Sequence, residues 1–409
     1  MSSNESSGEE STAVGALDGI RVLDLSTLVQ GPQAGAMLFN LGAEVINIEL
    51  PDVGDLSRHI ENMPEYGHSA VFIANNRGKQ SVSLDLRVDA GRRAFLALVA
   101  KSDVVLSNFK PGTLEEWGLG YDDLAAVNPA IIDAQASYMG HQGPDSHREG
   151  ADMVGQAAGG IVSTSGFDGG PVSPVGTLVA DHSGSQNLQT GILAALFARH
   201  RTGRGQRVEV SLLGGQIWMQ ANEYTHLGMT GEMVSRTNGG YPLVNALYGT
   251  FSTSDGALAI AGCPEHLWPG MVRAVERPDL HDNPRFGTYF STPAIKAELF
   301  EVFGEIFASR TTAEWCERLA VEEQRFSAVR SHQDVLDDPQ SYANGYLFKG
   351  EHPDWGEKVF VGSPIVMSDT PTRSSMVPPE LGQDTEMTLV EIGGFDWDEV
   401  EQLRADGAF

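Results

Sequence analysis

The sequence predicts an α/β protein: a large domain built on a parallel sheet, and a smaller α+β domain. Three observations carry this. Leu17 to Leu25, Gln33 to Leu41 and Ala43 to Glu49 read as strand, helix and strand with short links, a βαβ unit that requires parallel strands. Further buried-strand patterns at Asp103–Leu106, Ile131–Ala136 and Arg207–Leu212 are separated by helical patterns. A length of 409 residues exceeds one ordinary core, so two domains are the default.

Residues 1–16 form a polar, acidic tail. Met1–Ala13 has neither a basic n-region nor an apolar h-region, so it reads as disordered and not as a signal peptide. Residues 17–230 supply the first part of the large domain. After the first strand, Gly31-Pro32 breaks the chain, and the helix Gln33–Leu41 ends at Gly42. This crossover holds no Gly-x-Gly-x-x-Gly, so a dinucleotide fingerprint is absent.

Asn75–Lys79 is a polar, basic turn before the strand Ser81–Leu86. It reads as a solvated loop or, in so acidic a chain, as a phosphate clamp. Asp89–Lys101 is an amphipathic helix, followed by the strand Asp103–Leu106 and the loop Asn108–Gly112. Ligand sites in open parallel sheets gather at such strand ends. A loop from Gly140 to Gly150 follows the strand Ile131–Ala136. Asp152 stands in the N-cap place of an apolar helix, Met153–Ser163.

Leu188–His200 is a long Ala-rich helix, and Thr202–Gln206 is a tight turn into the strand Arg207–Leu212. A helical run then reaches about Thr230. Residues 231–247 are a Gly-rich linker whose sharpest turn is Gly239-Gly240-Tyr241-Pro242. Tyr248–Ala261 alternates around Ser254-Asp255-Gly256, a hairpin signal, and helical pieces follow. Residues 248–325 are therefore the smaller domain. Residues 326–409 return to complete the large one and end in an acidic helix, Asp396–Arg404.

The formal charge is −28, from 55 acidic and 27 basic residues, which makes nucleic acid an unfavourable partner. Only six of the basic residues are lysine. A salt-adapted cytoplasm favours such an acidic, lysine-poor surface, and a GC-rich genome yields the same composition. No apolar run is long enough to span a bilayer. Two cysteines, Cys263 and Cys316, exclude a disulfide framework and a Cys-rich metal site, and make a cytoplasmic location the default.

One stretch carries chemistry: Gly176-Thr177-Leu178-Val179-Ala180-Asp181-His182-Ser183-Gly184-Ser185. A carboxylate, Asp181, follows a short apolar run and precedes a helix. It reads as an N-cap, or as a nucleophile that small neighbours leave open to a bulky substrate. Asp152 lies 29 residues earlier, so the two carboxylates meet only through the fold.

From about Leu17 to Gly394 the chain resembles the class III CoA-transferases, a group with formyl-CoA:oxalate and carnitine CoA-transferases and α-methylacyl-CoA racemases. The resemblance rests on Gly19–Leu25, Gly31-Pro32, Leu41–Ile46, Arg77–Ser81, Asn108–Gly112, Gly191–Leu196, Thr202–Gln206, Pro284-Arg285-Phe286 and Thr312–Trp315 in this order. It implies a Rossmann-like CoA-binding domain, a smaller α+β domain and an interlocked homodimer. It puts the family's nucleophile on Asp181 and its neighbouring acid on Asp152. Ala151 stands where the racemases have histidine, which argues against racemisation, since that needs a base on each side of the α-carbon.

The implied chemistry moves CoA from an acyl-CoA to a free carboxylic acid through an aspartyl-CoA thioester on Asp181. CoA thioester is the substrate, with no permanently bound cofactor and no metal. Arg77, Lys79 and Lys110 are the cations expected for CoA, with Asn108 and Phe109 along its adenine or pantetheine arm. Gly239 and Gly240 match the family's glycine loop, and Gln30 lies one place from its active-site glutamine. Succinyl-CoA as donor and mesaconate or citramalate as acceptor are the expected acids, partly on the salt-adapted composition. Two alternatives stand beside this: an acyl-CoA isomerase, by CoA migration or racemisation, and a non-catalytic CoA-binding protein.

Overall fold

The chain opens on the expected βαβ unit: β1 (Arg21–Asp24), α1 (Gln30–Asn40) and β2 (Glu44–Glu49). Next come α2 (Ala70–Asn76), β3 (Gln80–Ser83), α3 (Asp89–Val99), β4 (Val104–Ser107), α4 (Thr113–Glu116), α5 (Tyr121–Val127) and β5 (Ile132–Ser137). They are followed by α6 (Asp152–Ala158), α7 (Ile161–Thr164), α8 (Val179–Thr202), β6 (Arg207–Ser211), α9 (Leu212–Met219) and α10 (Ala221–Thr230). This computed structural model describes residues 15–61, 63–281, 283, 286 and 292–409. The tail expected over 1–16 lies outside these residues up to position 14, as do Pro284 and Arg285.

β1 to β6 form one sheet in the order β3-β2-β1-β4-β5-β6, with every neighbour parallel. The period-2 alternation of strand side chains sorts the core into two layers. Val22, Val45, Val104 and Ile132 face Leu38 of α1 and Leu188, Ile192 and Ala195 of α8. Leu23, Ile46 and Val105 face the other way, toward Phe95 and Leu98 of α3. The strand order reverses between β1 and β4, the switch point where open parallel sheets bind ligands.

Several boundaries differ from the sequence reading. Gly31-Pro32 does not break the chain but lies in the first turn of α1, where proline gives up no helical hydrogen bond. A Cβ on Gly31 would meet Ser26, and one on Gly35 would meet Asp24, so small residues let α1 lie on the end of β1. α2 was not expected: seven residues, capped by Ser69, are too few to show helical periodicity. The helix expected over Met153–Ser163 is broken after Ala158, because Gly160 adopts φ 84°. α8 starts at Val179, well before Leu188. Its first turns carry small polar residues with no apolar stripe, and their place is set by neighbouring helices.

The remaining elements are β7 (Tyr248–Ser252), β8 (Ala257–Ala261), α11 (Trp268–Ala274), α12 (Pro293–Phe307), α13 (Thr312–Val321), β9 (Phe326–Ala328), α14 (His332–Leu336), α15 (Pro339–Ala343), β10 (Leu347–His352), β11 (Gly356–Val361), α16 (Thr385–Glu391) and α17 (Trp397–Ala405). By compactness the chain divides into two units. One comprises residues up to Gly159, Gly176–Met219 and Pro339–Phe409. The other comprises Gly160–Val175 and Gln220–Asp338. The expected limits of 248–325 and the linker 231–247 move accordingly. β9 pairs with β8 and carries the second unit past 325, while Arg236 donates to the carbonyls of Gly170 and Pro171 and ties in the earlier segment.

In that second unit, β7, β8 and β9 form an antiparallel sheet over Phe251, Trp268, Phe303, Phe307 and Trp315. Gly240 makes an antiparallel bridge to Gly249, and Gly239 at φ 93° accepts from Thr250 N at 2.7 Å. A Cβ on Gly240 would come within 2.7 Å of Phe300, so this pair is packed against its own unit. Among the described residues, no helix is long and apolar enough to cross a membrane.

Candidate active site

The start of α8 has no side-chain cap of its own: Leu178 occupies the N-cap position. Free amides at a helix start must find acceptors. They find Asp152, whose Oδ1 accepts from Ala180 N at 2.7 Å and Asp181 N at 3.2 Å. Gln156, one turn along α6, donates to Asp152 Oδ2 at 2.7 Å. α6 comes this close because Gly155 sits against Ala180, where a Cβ would already be 3.0 Å away. Asp152 therefore does not cap its own helix, whose N-cap is Ala151; it caps α8 from across the fold.

Asp181 is the third residue of α8 and not its N-cap. Among the described residues, nothing hydrogen-bonds to its carboxylate. Burial, with Asp152 adding a like charge, pushes its pKa up to about 7. The next residue, His182, has Nδ1 2.8 Å from Gln33 Oε1 of α1. Two residues on, Gly184 gives room to Gln30: a Cβ there would lie 2.3 Å from Gln30 Nε2. At 100° per residue, Asp181 lies on the arc of α8 between His182 and Gly184, the two positions that meet α1. Gln30 is buried, and among the described residues its Nε2 has no hydrogen-bond partner.

The turn that launches α1 is held from both sides. Thr27 N donates to Asn108 Oδ1 at 2.9 Å, and Asn108 Nδ2 donates back to Thr27 O at 2.8 Å. Leu28 adopts φ 70°, a strained value for leucine, while its N–H donates to Asp55 Oδ1 at 2.9 Å. Under α1, Lys79 Nζ donates to Asp24 Oδ2 at 2.8 Å, Pro32 O at 2.9 Å and Asn76 Oδ1 at 2.8 Å.

Three of the side chains expected at CoA have protein partners in this geometry. Lys79 is fully buried with all three of its protons given to protein acceptors, which leaves no proton facing a phosphate in this geometry. Arg77 donates from Nη2 to Val361 O at 2.8 Å and lies over Phe360, and burial lowers its pKa to about 10. It anchors the return segment. Asn108 spends its side-chain amide on the backbone of Thr27. Lys110 is exposed. Phe109 packs edge-on against Trp117 at 5.5 Å.

Phe109 and Trp117 wall a mostly apolar cavity of about 310 Å³ at the C-terminal ends of β1, β2 and β3. Leu25, Ile48, Leu50 and Leu86 line it, and Arg87 stands at its edge, paired to Asp85 at 2.7 Å. The sequence reading missed Gln33, His182, Arg87 and Asp24. A signal existed for two of them: Gln33 follows Gln30 at helical i, i+3 spacing, and His182 adjoins Asp181.

A family model described as CoA-transferase family III matches residues 17–385. The chain is 30% identical over 394 residues to a succinyl-CoA–D-citramalate CoA-transferase of Chloroflexus aurantiacus, covering 95% of this chain and 97% of the relative. It is 33% identical over 396 residues to a succinyl-CoA:mesaconate CoA-transferase of Haloarcula marismortui, covering 93% and 97%. A CAIB/BAIF family protein from Brucella suis superposes with a TM-score of 0.81 at 30% identity, over 93% of this chain and all of that one.

Proposed function

Because the chain belongs to CoA-transferase family III, we propose that it moves CoA from succinyl-CoA to a small dicarboxylic acid through an acyl derivative of Asp181. The observation that carries this reading is the state of Asp181: a carboxylate in the first turn of α8, without partners of its own and with a pKa near 7. The Chloroflexus and Haloarcula relatives are named for succinyl-CoA with citramalate or mesaconate, which supports the proposed acids.

Asp181 Oδ attacks the thioester carbonyl of succinyl-CoA, the C–S bond breaks, and CoA leaves as thiolate. A mixed anhydride remains. The thiolate attacks the aspartyl carbonyl, the anhydride C–O bond breaks and succinate departs, leaving an aspartyl-CoA thioester. The acceptor carboxylate runs the same two steps in reverse. No proton is consumed, and all intermediates are acyl derivatives of similar energy. Gln30 Nε2, buried beside Gly184 and without a partner among the described residues, is suited to donate to an acyl oxygen as negative charge develops. The apolar cavity beside Phe109 suits the adenine end of CoA, with Arg87 at its edge for a phosphate.

Intact mass after mixing with succinyl-CoA tests the mechanism. The expected result is a hydroxylamine-sensitive adduct that disappears in Asp181→Ala; no adduct with any of a panel of acyl-CoAs overturns it. Phe109→Ala is expected to raise KM for acyl-CoA about tenfold by losing one packed aromatic wall, with kcat within about threefold. Steady-state kinetics reads this, and an unchanged KM moves CoA away from the cavity. A homodimer belongs to the same proposal, supported by the exposed Phe197, Ile217, Trp218 and Met219 of α8 and α9. Sedimentation equilibrium decides it: a mass of 43.9 kDa at all concentrations refutes the dimer.

A further inference from the structure

We propose that His182, oriented by Gln33, recognises the free second carboxylate of a dicarboxylic acyl group bound at Asp181, and so sets the preference for dicarboxylic over monocarboxylic substrates. This rests on the Asp181 reading above. Gln33 Oε1 accepts a hydrogen bond, so the ring nitrogen facing it, Nδ1, carries the proton. That fixes the tautomer and leaves a lone pair on Nε2. A proton taken up there turns His182 into a cation with a donor free for a carboxylate, and such charge-assisted bonds are about twice as strong as neutral ones.

The surroundings leave His182 this role. The elements packed on the start of α8 are α1, α6 and α9. α1 and α9 contain no titratable residue, and α6 contains only Asp152. β6 meets α8 further along, at Gly191, where Arg207 is engaged by Glu115 and Glu209 and lies near Asp133. Lys79 gives all three protons to Asp24, Pro32 and Asn76, and Arg77 is turned to Val361 O and the Phe360 ring. Burial holds the pKa of His182 below its ordinary value, with the Asp152 charge opposing, so the ring is neutral in the free site. A permanent lysine or arginine beside Asp181 would pair with the nucleophile and dull it. A histidine that charges only when a second carboxylate arrives leaves Asp181 unpaired until substrate is present.

The test compares succinyl-CoA with butyryl-CoA, which has a methyl in place of the second carboxylate. The readout is the rate of hydroxylamine-trapped acyl transfer. The wild type is expected to favour succinyl-CoA, and His182→Ala to lower the ratio of the two kcat/KM values by about tenfold or more, through KM. Gln33→Leu, which keeps the ring but frees it, is expected to lower the ratio less. KM for succinyl-CoA rises with pH from the pKa of His182 in the free site and levels off above its higher pKa in the complex; butyryl-CoA shows no such limb, and neither does His182→Ala. A ratio unchanged in both variants, or equal losses on both thioesters, overturns the proposal. If His182→Ala does not fold, His182→Asn and Gln33→Leu carry the same comparison. Absence of any Asp181-dependent adduct with either thioester overturns the transferase mechanism itself, and this inference with it. An adduct with an unmoved ratio overturns this inference alone.

Discussion

Asp181→Asn is expected to lower kcat/KM for succinyl-CoA by about a thousandfold or more, since the amide cannot form the acyl intermediate. In the wild type the acylation rate is expected to rise with pH through about 7, because only the ionised carboxylate attacks. A flat profile between pH 5 and 8 would sink this. Asp152→Asn keeps an oxygen to accept from Ala180 N but removes the like charge, so the midpoint moves down. The same pKa makes a stability statement. Asp181 is raised from 3.8 to about 7, so the folded state holds its proton more tightly than the unfolded chain. That contribution is fully present below the ordinary pKa and is lost as pH rises toward 7. Asp181→Asn, which never ionises, is therefore expected to be the more stable protein at pH 8, by on the order of 2–4 kcal/mol, and to lose that advantage on acidification toward pH 4. Urea midpoints at the two pH values measure it. The site holds a charge that folding disfavours, which is a common cost of reactivity.

Lys79→Met is expected to destabilise the protein by about 3–5 kcal/mol, because it leaves Asp24 buried without its counter-ion. Ser26 still donates to Asp24 through its N–H at 3.0 Å and through its hydroxyl, but neither neutralises the charge. The loss also frees the Pro32 carbonyl and with it the seat of α1, which carries Gln30 and Gln33. Replacing both members, as in Asp24→Leu with Lys79→Met, is expected to recover part of the loss, since a buried pair is seldom better than well-packed apolar groups. Denaturant midpoints report both. Full stability in Lys79→Met together with a raised KM for acyl-CoA would restore the phosphate-clamp role that the buried geometry denies.

Lys79, expected at a phosphate and found buried against Asp24, marks where sequence information stops. Alternation of apolar residues in Val22-Leu23, Val45-Ile46 and Val104-Val105 encodes two buried faces, so the strands were legible from local pattern, their parallel sense from the short strand–helix–strand links, and the family from its resemblance in ordered motifs. The small residues around Asp181 marked a loop-to-helix transition, and α8 does begin there. Asp152 looked like the cap of the helix it starts. Its true acceptor role, toward amides 28 and 29 residues away, exists only once α6 and α8 are packed at Gly155. Lys79 and its partner Asp24 are 55 residues apart, and Gln33 and His182 149 apart. A lysine that is solvated and one that is buried against an aspartate read alike in sequence, because local propensity does not record desolvation. The chain by itself determined the layers, the family and the carboxylate at the head of α8. The tertiary structure decided which polar groups are spent holding α1 and α8 together and which are left for chemistry, because pairing and burial are set by contacts between segments distant in the chain.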